Sequence, residues 1–438
     1  MSAFFLDIRI AFLSLIEHRR RAAFLGIAIA AVTALLVILN GLAAGIRGTL
    51  IDTALTLSTG HLNVGGFYKV TSGQAGMVVT EYKKVEDAVK RDLPEADFMV
   101  ERGRGWGKLV SDTGSMQAAV SGIDIERESA FKGVLRVESG NIDELAQPKT
   151  ILIFDAQAKK LKLKVGDALT ISAQTTRGVA NTIDCRVVAI AEDVGLLSQW
   201  NVFVSNESLR TLYQLRSDVA GVIQIHLKPQ YQNDLAPLAA RLRLALEHDG
   251  YRVMEADSRA FWMKIQDVTR EEWTGQKLDV TTWEDELSFM MWTLQAFNGL
   301  SLVLMVILVA IMVTGIMNTM WIAIRERTRE IGTLRAIGMQ RGGVLRMFLW
   351  ESLLLGLLGG SAGAVLGFGL AALLNASKIH VPLSVQLFLM SDTVRVAVLL
   401  PALLGAIALI SVVTGLAALY PALRAARLKP VDAMSHFG

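Results

Sequence analysis

The sequence predicts an α-helical membrane protein with four transmembrane helices, one plus three, and a large α+β extracytoplasmic domain inserted between helices 1 and 2. Hydrophobic residues make up 52% of the 438 residues and charged residues only 19%, below the roughly 25% of soluble domains. Residues 47–290 hold 29 Lys+Arg and 34 Asp+Glu, whereas the rest of the chain holds 15 and 7. The middle segment is therefore acidic and resembles a soluble domain, whereas the basic residues outside it flank apolar runs. This distribution argues against a nucleic-acid-binding protein with a basic surface.

Four apolar runs are long enough to cross a bilayer, at residues 22–45, 294–324, 347–374 and 394–423. The first has 24 residues, which make about 36 Å of helix against about 30 Å of hydrocarbon. A cleaved signal peptide is the alternative for this run. The run is longer than the usual apolar core of a signal peptide, and no small-residue cleavage site follows it. We therefore predict a retained first transmembrane helix.

Basic residues predict the orientation of these helices. Four arginines lie between residues 9 and 21, six lie between 325 and 346, and two arginines and one lysine lie between 424 and 429. The loop at 375–393 holds a single lysine. Because short cytoplasmic segments are enriched in Lys and Arg, both termini and the 325–346 loop are predicted to be cytoplasmic.

The domain organisation follows from these spans. We predict a cytoplasmic amphipathic helix at 1–21, transmembrane helix 1 at 22–46, an extracytoplasmic domain at 47–291, transmembrane helix 2 with a stalk at 292–324, a cytoplasmic coupling-helix loop at 325–346, transmembrane helix 3 at 347–374, a short outer loop at 375–393, transmembrane helix 4 at 394–423 and a cytoplasmic tail at 424–438.

The extracytoplasmic segment alternates strand-like and helix-like stretches. Seven short segments rich in β-branched residues predict strands at 61–64, 118–123, 150–153, 168–173, 186–191, 202–205 and 222–227. Helical periodicity predicts a helix at 231–248 and a weaker one at 81–93. The polar, aromatic stretch 258–291 predicts helix in part, either at the outer membrane interface, where Trp is favoured, or packed on the domain.

Catalytic and metal-binding patterns are absent from the sequence. The stretch 103–109 resembles a phosphate-binding loop, but Arg102 and Leu109 occupy two of the required positions. Six scattered histidines and the lone Cys185 form no ligand or nucleophile pattern. We therefore predict that the chain is not an enzyme and holds no cofactor or metal of its own.

The segment between the second and third apolar runs carries the most informative pattern. It reads RERTREIGTLRAIGM at 325–339, and Ile331, Leu334 and Gly338 share one face of a helix. Such a short amphipathic helix docks in a groove of a cytoplasmic partner. The alternative is a basic loop that anchors on anionic lipid.

This motif resembles the signature of the FtsX/MacB/LolC–LolE-type ABC transporter permeases, the type VII or mechanotransmission superfamily. The C-terminal segment 420–434 resembles the ending of the same family, with Met434 where leucine is usual. The amphipathic start of the chain, the Gly60-His61-Leu62 sequence and the segment 163–169 are also similar to the family. The resemblance covers essentially the whole chain.

The resemblance implies partners and a mechanism. Such permeases pair as homodimers or heterodimers in the bacterial inner membrane, with the large MacB-like domain in the periplasm, and bind two copies of a cytoplasmic ATPase, which holds ATP and Mg. The helix after span two is the coupling helix, and ATP-driven closure moves the outer domains. Carried over to this chain, the ATPase-coupling residues are Glu326, Arg329, Glu330, Ile331, Leu334, Arg335 and Gly338.

The third apolar run carries small residues at helical spacing. Its glycines form three overlapping Gly-x-x-x-Gly pairs and are predicted helix-packing residues: Gly356, Gly359, Gly360, Gly363 and Gly367. Small residues at this spacing let helix backbones approach closely. Packing within the subunit is favoured over packing across a dimer.

Three functions remain open within the resemblance. Lipoprotein release of the LolC/LolE type stands first, with a lipoprotein carrier and membrane lipid as partners. The alternatives are a MacB-like tripartite efflux permease with a periplasmic adaptor, and an FtsX-like transmembrane regulator of a periplasmic hydrolase.

Overall fold

The computed structural model describes residues 2–71, 73–379 and 393–427. The chain divides into two compact units. The helical unit contains Met1–Gly48, Gln295–His380 and Thr393–Gly438, and the sheet unit contains Thr49–Leu294 together with Val381–Asp392. Residues 380–392 of the predicted outer loop, including His380, and residues 428–438, which include His436 and the last seven residues of the C-terminal family motif, lie outside the described residues.

The described residues form fourteen α-helices and thirteen strands. The helices are α1 Ser2–Glu17, α2 Arg19–Leu57, α3 Tyr82–Asp92, α4 Ser129–Val134, α5 Asp155–Leu161, α6 Gly195–Trp200, α7 Asn206–Tyr213, α8 Leu235–His248, α9 Ile265–Arg270, α10 Trp283–Glu286, α11 Ser288–Glu326, α12 Thr328–Ala336, α13 Arg341–Ala376 and α14 Leu400–Ala426. The strands are β1 Leu62–Thr71, β2 Gln74–Gly76, β3 Val79–Thr80, β4 Ala96–Val110, β5 Ser115–Ile123, β6 Val137–Gly140, β7 Thr150–Phe154, β8 Ala168–Gln174, β9 Ala180–Ala191, β10 Asn201–Ser205, β11 Val219–Ala220, β12 Val222–Leu227 and β13 Gly275–Thr282.

Four of these helices, α2, α11, α13 and α14, are long and apolar enough to cross a membrane. The first three extend beyond the apolar runs at both ends, since helix continues into the polar flanks. The fourth begins at Leu400, six residues later than the predicted start at 394. Pro401 lies in its first turn, where proline costs no hydrogen bond.

An extended segment replaces the predicted first residues of span four. Asn375 donates to the Val396 carbonyl and accepts from its N–H, both at 2.9 Å, and the Ala397 N–H donates to the Gly41 carbonyl at 2.8 Å. These bonds satisfy the backbone without a helix. Hydropathy cannot distinguish such an apolar extended segment from helix.

The sheet unit is built on one large mixed sheet. Its strands follow the order β13-β1-β12-β4-β5-β10-β7-β9-β6, with β2 on β1 and β8 bridging β4 and β9. The β10–β5 and β7–β9 pairs are parallel, and the other pairs of this sheet are antiparallel. All seven predicted strands overlap observed ones, so the segment is a sheet with flanking helices as expected.

No sequence pattern predicted strand β4, because glycines at 103, 105 and 107 interrupt the β-branched composition that is typical of a strand. A Cβ atom on Gly103 would lie 2.4 Å from Leu209, and one on Gly105 would lie 2.4 Å from the Tyr213 ring. The Tyr213 hydroxyl donates to the Trp106 carbonyl at 2.9 Å and accepts from the Trp106 N–H at 2.7 Å. The glycines therefore let α7 pack directly on β4.

The stretch 258–291, which was expected to be helix in part, also contains strand β13, which no sequence pattern predicted. Its two short helices, α9 and α10, flank eight residues of strand paired along β1. Trp283 is buried within the sheet unit, and Trp262 is half exposed.

Arg102 joins β4 to the last turn of α2. Its guanidinium donates to the carbonyls of Thr56 and Leu57, both at 3.0 Å, and binds the buried carboxylate of Glu128 through Nε and Nη2. Burial raises the pKa of Glu128, and Arg102 opposes that rise. We call this arrangement the Arg102 clamp. It satisfies two of the carbonyls that every helix leaves unpaired at its C-terminus.

The free thiol of the sheet unit is inert. Cys185 is buried in the apolar core beside Leu169 and Val187. Burial raises its pKa to about 12, so that little thiolate forms near neutral pH.

His226 is expected to make the protein acid-sensitive. Burial, and to a lesser extent His61 and Arg102, lower the pKa of His226 to about 4. Between pH 6.5 and 4 the unfolded state binds a proton that the folded state does not, so the free energy of unfolding falls as the pH falls through this range. His226→Phe keeps a flat ring against Phe98 but removes the titration. Between pH 7.5 and 5, the wild type should lose about 2 kcal/mol more than the variant.

Unfolding of the full chain in detergent, followed by tryptophan fluorescence at both pH values, measures this difference. Parallel losses in the wild type and in His226→Phe would contradict the prediction. His248→Phe is the matched control, because it replaces an exposed histidine at the end of α8 with the same ring and keeps His226.

Candidate functional site

Helix α12 lies between the second and third long helices, where the sequence predicts the coupling helix. It begins after Arg327 and ends before Gly338. Gly338 has a φ of +113°, a conformation that favours glycine. The next residue closes the helix, since the Met339 N–H donates to the Leu334 carbonyl at 3.0 Å. The helix therefore has a defined start and stop.

The inner face of α12 packs within the helical unit. Ile331 is only 1% exposed and belongs to the same apolar cluster as Phe348 and Ala422. Arg335 donates to the carbonyl of Ala426, the last residue of α14, at 3.1 Å. The predicted coupling residue Ile331 therefore lies inside the helical unit, and the predicted coupling residue Leu334 is half-buried.

The outer face of α12 presents the other predicted residues. Glu326, Arg329, Glu330 and Gly338 are exposed. The sequence analysis missed Ile337, which is 86% exposed and is the most exposed large apolar side chain among the described residues. The sequence feature that could have identified Ile337 is its position: it is an apolar residue at the end of the helix and does not share the helix face of Ile331. We call the exposed residues Glu326, Arg329, Glu330 and Ile337 the α12 surface.

A buried ion pair anchors the start of α12. The Arg327 guanidinium lies 3.1 Å from the Glu351 carboxylate on α13, and their side chains are 9% and 6% exposed. Ser14 on α1 donates to Glu351 at 3.2 Å and accepts from Arg327 at 2.9 Å. No sequence pattern assigns a role to Glu351.

Three further ion pairs extend this arrangement. Arg21 on α2 lies 3.5 Å from Glu351 and 3.4 Å from Glu326, and Arg327 also lies 3.0 Å from Glu330. We call the six residues the Glu351 network: Ser14, Arg21, Glu326, Arg327, Glu330 and Glu351. It connects α12 to α1, α2, α11 and α13.

The predicted packing glycines contact two helices of the same chain. Gly356 and Gly360 face α14, near Thr414 and Ile407. Gly359, Gly363 and Gly367 face α2, and a Cβ on Gly363 would lie 2.4 Å from the Ala30 carbonyl oxygen. Helix α13 therefore packs against two helices through two separate rows of glycines, one facing α14 and the other facing α2.

The helical and sheet segments match two family models. Residues 23–245 match the MacB-like periplasmic core domain, and residues 302–430 match the FtsX-like permease C-terminal domain. The first match covers about half of the chain.

Three curated relatives are similar to this chain over about 120 residues each. The pyoverdine export ATP-binding/permease protein PvdT of Pseudomonas savastanoi is 40% identical over 28% of this chain and 16% of its own length. The macrolide export ATP-binding/permease protein MacB 1 of Aeromonas hydrophila is 37% identical over 27% and 16%. The ABC transporter permease YvrN of Bacillus subtilis is 36% identical over 28% and 26%. The aligned part therefore spans between 16% and 26% of the length of these relatives.

Solved structures give a weaker likeness. The periplasmic region of MacB from Actinobacillus actinomycetemcomitans is 15% identical, with a TM-score of 0.30, over 44% of this chain and 86% of that chain. The extracellular domain of the transporter YknZ from Gram-positive bacteria is 14% identical, with a TM-score of 0.29, over 43% and 95%.

Proposed function

The chain belongs to the FtsX-like and MacB-like family of ABC transporter permeases, and on that premise we propose that it is a permease subunit driven by a separate ATPase chain. The observation that carries the proposal is the α12 surface, which is exposed on a helix whose other face is fixed to its own chain. A partner that binds this surface can move the helical unit through it.

The α12 surface has the composition of a docking helix. Its charges, Glu326, Arg329 and Glu330, surround one apolar anchor, Ile337. An amphipathic helix with one anchor and a charged rim fits a groove of a folded partner, where the anchor supplies binding energy and the rim supplies orientation.

The Glu351 network supports transmission from this surface. Arg327 and Glu351 are buried, so their attraction is screened less than that of a surface pair. Displacing α12 without the other helices would separate these charges. We infer that the network carries motion of α12 to α1, α2 and α13 together, and not to α11 alone.

ATP and Mg are proposed to bind the partner and not this chain. The stretch 103–109, the nearest likeness to a phosphate-binding loop, is part of strand β4 and lies against α7. A phosphate-binding loop leads from a strand into a helix N-terminus, and β4 pairs with β5 over these residues instead. The proposal includes two ATPase copies and a second permease, homomeric or heteromeric.

The exposure of α11 supports a second permease. It is the least covered of the four long helices, and Leu300, Val303 and Val306 are each more than half exposed. We propose the bacterial inner membrane as the location, with both termini and α12 in the cytoplasm and the sheet unit in the periplasm. The basic residues that flank the spans support this orientation.

For the cargo, we propose export of a small molecule together with a periplasmic adaptor. The relatives described above are named for export of pyoverdine and macrolides. They lend no specific support to lipoprotein release, which the sequence analysis placed first, or to regulation of a hydrolase.

Ile337→Asp is expected to detach the ATPase. A carboxylate in a desolvated contact should lower the amount of copurifying ATPase by about tenfold or more. Tagged permease is purified in detergent from its native host, and bound ATPase is quantified by mass spectrometry. Glu330→Lys tests the charged rim of the same surface.

Leu244→Asp is the matched control, because Leu244 is a 66% exposed leucine on α8 of the sheet unit. It should retain the ATPase. Equal capture by wild type and Ile337→Asp would show that the α12 surface is not the docking site. Failure of the wild type to capture any ATPase would favour the lipid-anchoring alternative.

A further inference from the structure

A cavity of about 470 Å³ opens in the sheet unit beside the last turns of α2. Its size lies within the range of small-molecule sites. Residues from α2, β4, α4 and β12 line it, including Asp52, Phe98, Ala130 and His226. None of these residues contributes to the α12 surface or to the Glu351 network.

One wall of the cavity consists of stacked rings. Phe98 stacks on His226 with ring centroids 4.4 Å apart and an interplanar angle of 10°, and His61 meets His226 edge-on at 5.7 Å. His61 Nδ1 accepts the Leu227 N–H at 3.2 Å. That bond uses the Nδ1 lone pair, so the proton of a neutral His61 ring lies on Nε2.

The ring wall is uncharged near neutral pH. Burial lowers the pKa of both histidines, which keeps them neutral. Phe98 is 49% exposed, so its ring remains accessible to a ligand. A neutral aromatic wall of this kind attracts apolar bodies and the faces of its rings attract cations.

The charges around the cavity leave one negative group without a partner. Glu128 binds Arg102, and Arg127 lies 3.3 Å from Asp124. The side chain of Asp52 makes no ion pair among the described residues, although it lines the cavity. The five groups together therefore carry a net charge of −1.

We propose that this cavity binds an amphipathic organic cation, with its apolar body against Phe98 and His226 and its positive charge toward Asp52. An organic anion would meet Asp52 and Glu128 without a free basic partner. A metal ion would lack ligands, because no group of three His, Cys, Asp or Glu side chains suited to a metal occurs in the described residues.

Two probes of equal shape and opposite charge test the proposal. Tetraphenylphosphonium and tetraphenylborate are titrated calorimetrically into the full chain at a fixed detergent concentration. Ala130→Trp places a large ring in the cavity and leaves Asp52, Phe98 and His226 unchanged. The heat that remains in this variant measures partition into detergent. After that heat is subtracted, tetraphenylphosphonium should bind at least tenfold more tightly than tetraphenylborate.

Two substitutions locate the binding energy. Asp52→Asn should weaken tetraphenylphosphonium binding about fivefold, the effect of one partly exposed ion pair. Phe98→Ala should weaken it about tenfold through the lost ring contact. Asp112→Asn, which changes an exposed aspartate in the turn after β4, and Leu244→Ala should leave Kd unchanged.

Tetraphenylborate binding that Ala130→Trp abolishes, with no binding of the cation, would overturn the proposal in favour of an anion site. Equal affinity of wild type and Asp52→Asn would overturn it as well, as would equal heats in wild type and Ala130→Trp. Each variant is first shown to unfold at the wild-type temperature in the same detergent. The experiment needs no ATPase, so its failure leaves the proposed function untouched.

Discussion

Gly363→Val is expected to prevent the packing of α13 on α2, whereas Gly369→Val on the same helix is expected to be tolerated. A Cβ on Gly363 would lie 2.4 Å from the Ala30 carbonyl oxygen and 2.7 Å from Thr33 Cβ. The first of these is a backbone atom, which cannot move without shifting α2. A Cβ on Gly369 would meet nothing within 4 Å. Both variants share the same intrinsic cost of valine in a helix, so their difference reports packing.

The expected difference is about 3 kcal/mol or more, because overpacking costs about 1–3 kcal/mol even where side chains can yield. Size-exclusion chromatography after heating, in one detergent, gives the temperature at which half of each variant stays monodisperse. Gly363→Val should show a much lower temperature or no folded protein. Equal behaviour of the two variants would show that the α2–α13 contact is not as close as described.

Glu351→Leu is the second substitution expected to have a large effect. It removes the buried carboxylate from the Arg327 guanidinium and leaves only the exposed Glu330 beside it. Removing one partner of a buried pair costs about 3–5 kcal/mol. The double variant Arg327→Met/Glu351→Leu removes both charges and replaces them with apolar side chains. It should be more stable than Glu351→Leu, because no buried charge remains unpaired.

The same heating assay ranks the wild type and the two variants. A double variant that is less stable than Glu351→Leu would contradict the paired burial of these groups. If the double variant is stable, its ATPase capture and ATP-driven activity separate two roles. Normal capture with lost activity is expected if the Glu351 network transmits motion from α12.

Sequence patterns were sufficient for the long helices and insufficient for the Glu351 network. Hydropathy locates spans because lipid requires apolar side chains over about twenty residues. The network joins residues far apart in the chain: 337 positions separate Ser14 from Glu351, and 305 separate Arg21 from Glu326. Helical spacing relates only neighbours three or four positions apart, so no local pattern reveals these pairs.

For the candidate docking residues too, the sequence shows the local spacing but not the tertiary contacts. The spacing of Ile331 and Leu334 indicates an amphipathic helix, but it does not tell whether that stripe faces a partner or the chain itself. Burial assigns Ile331 to the interior and exposes Ile337. Likewise, the spacing of Gly359 and Gly363 indicates a close helix contact without naming α2 as the neighbour.

The Arg102 clamp has a consequence for how the sheet unit bears tension. A pull on β4 would load the hydrogen bonds from Arg102 to the Thr56 and Leu57 carbonyls directly. Such short polar bonds stretch little before they break, whereas apolar surfaces slide past one another at low force. The last turn of α2 is therefore held stiffly against the sheet. A small displacement of β4 moves this helix turn by nearly the same distance, and the reverse is also true.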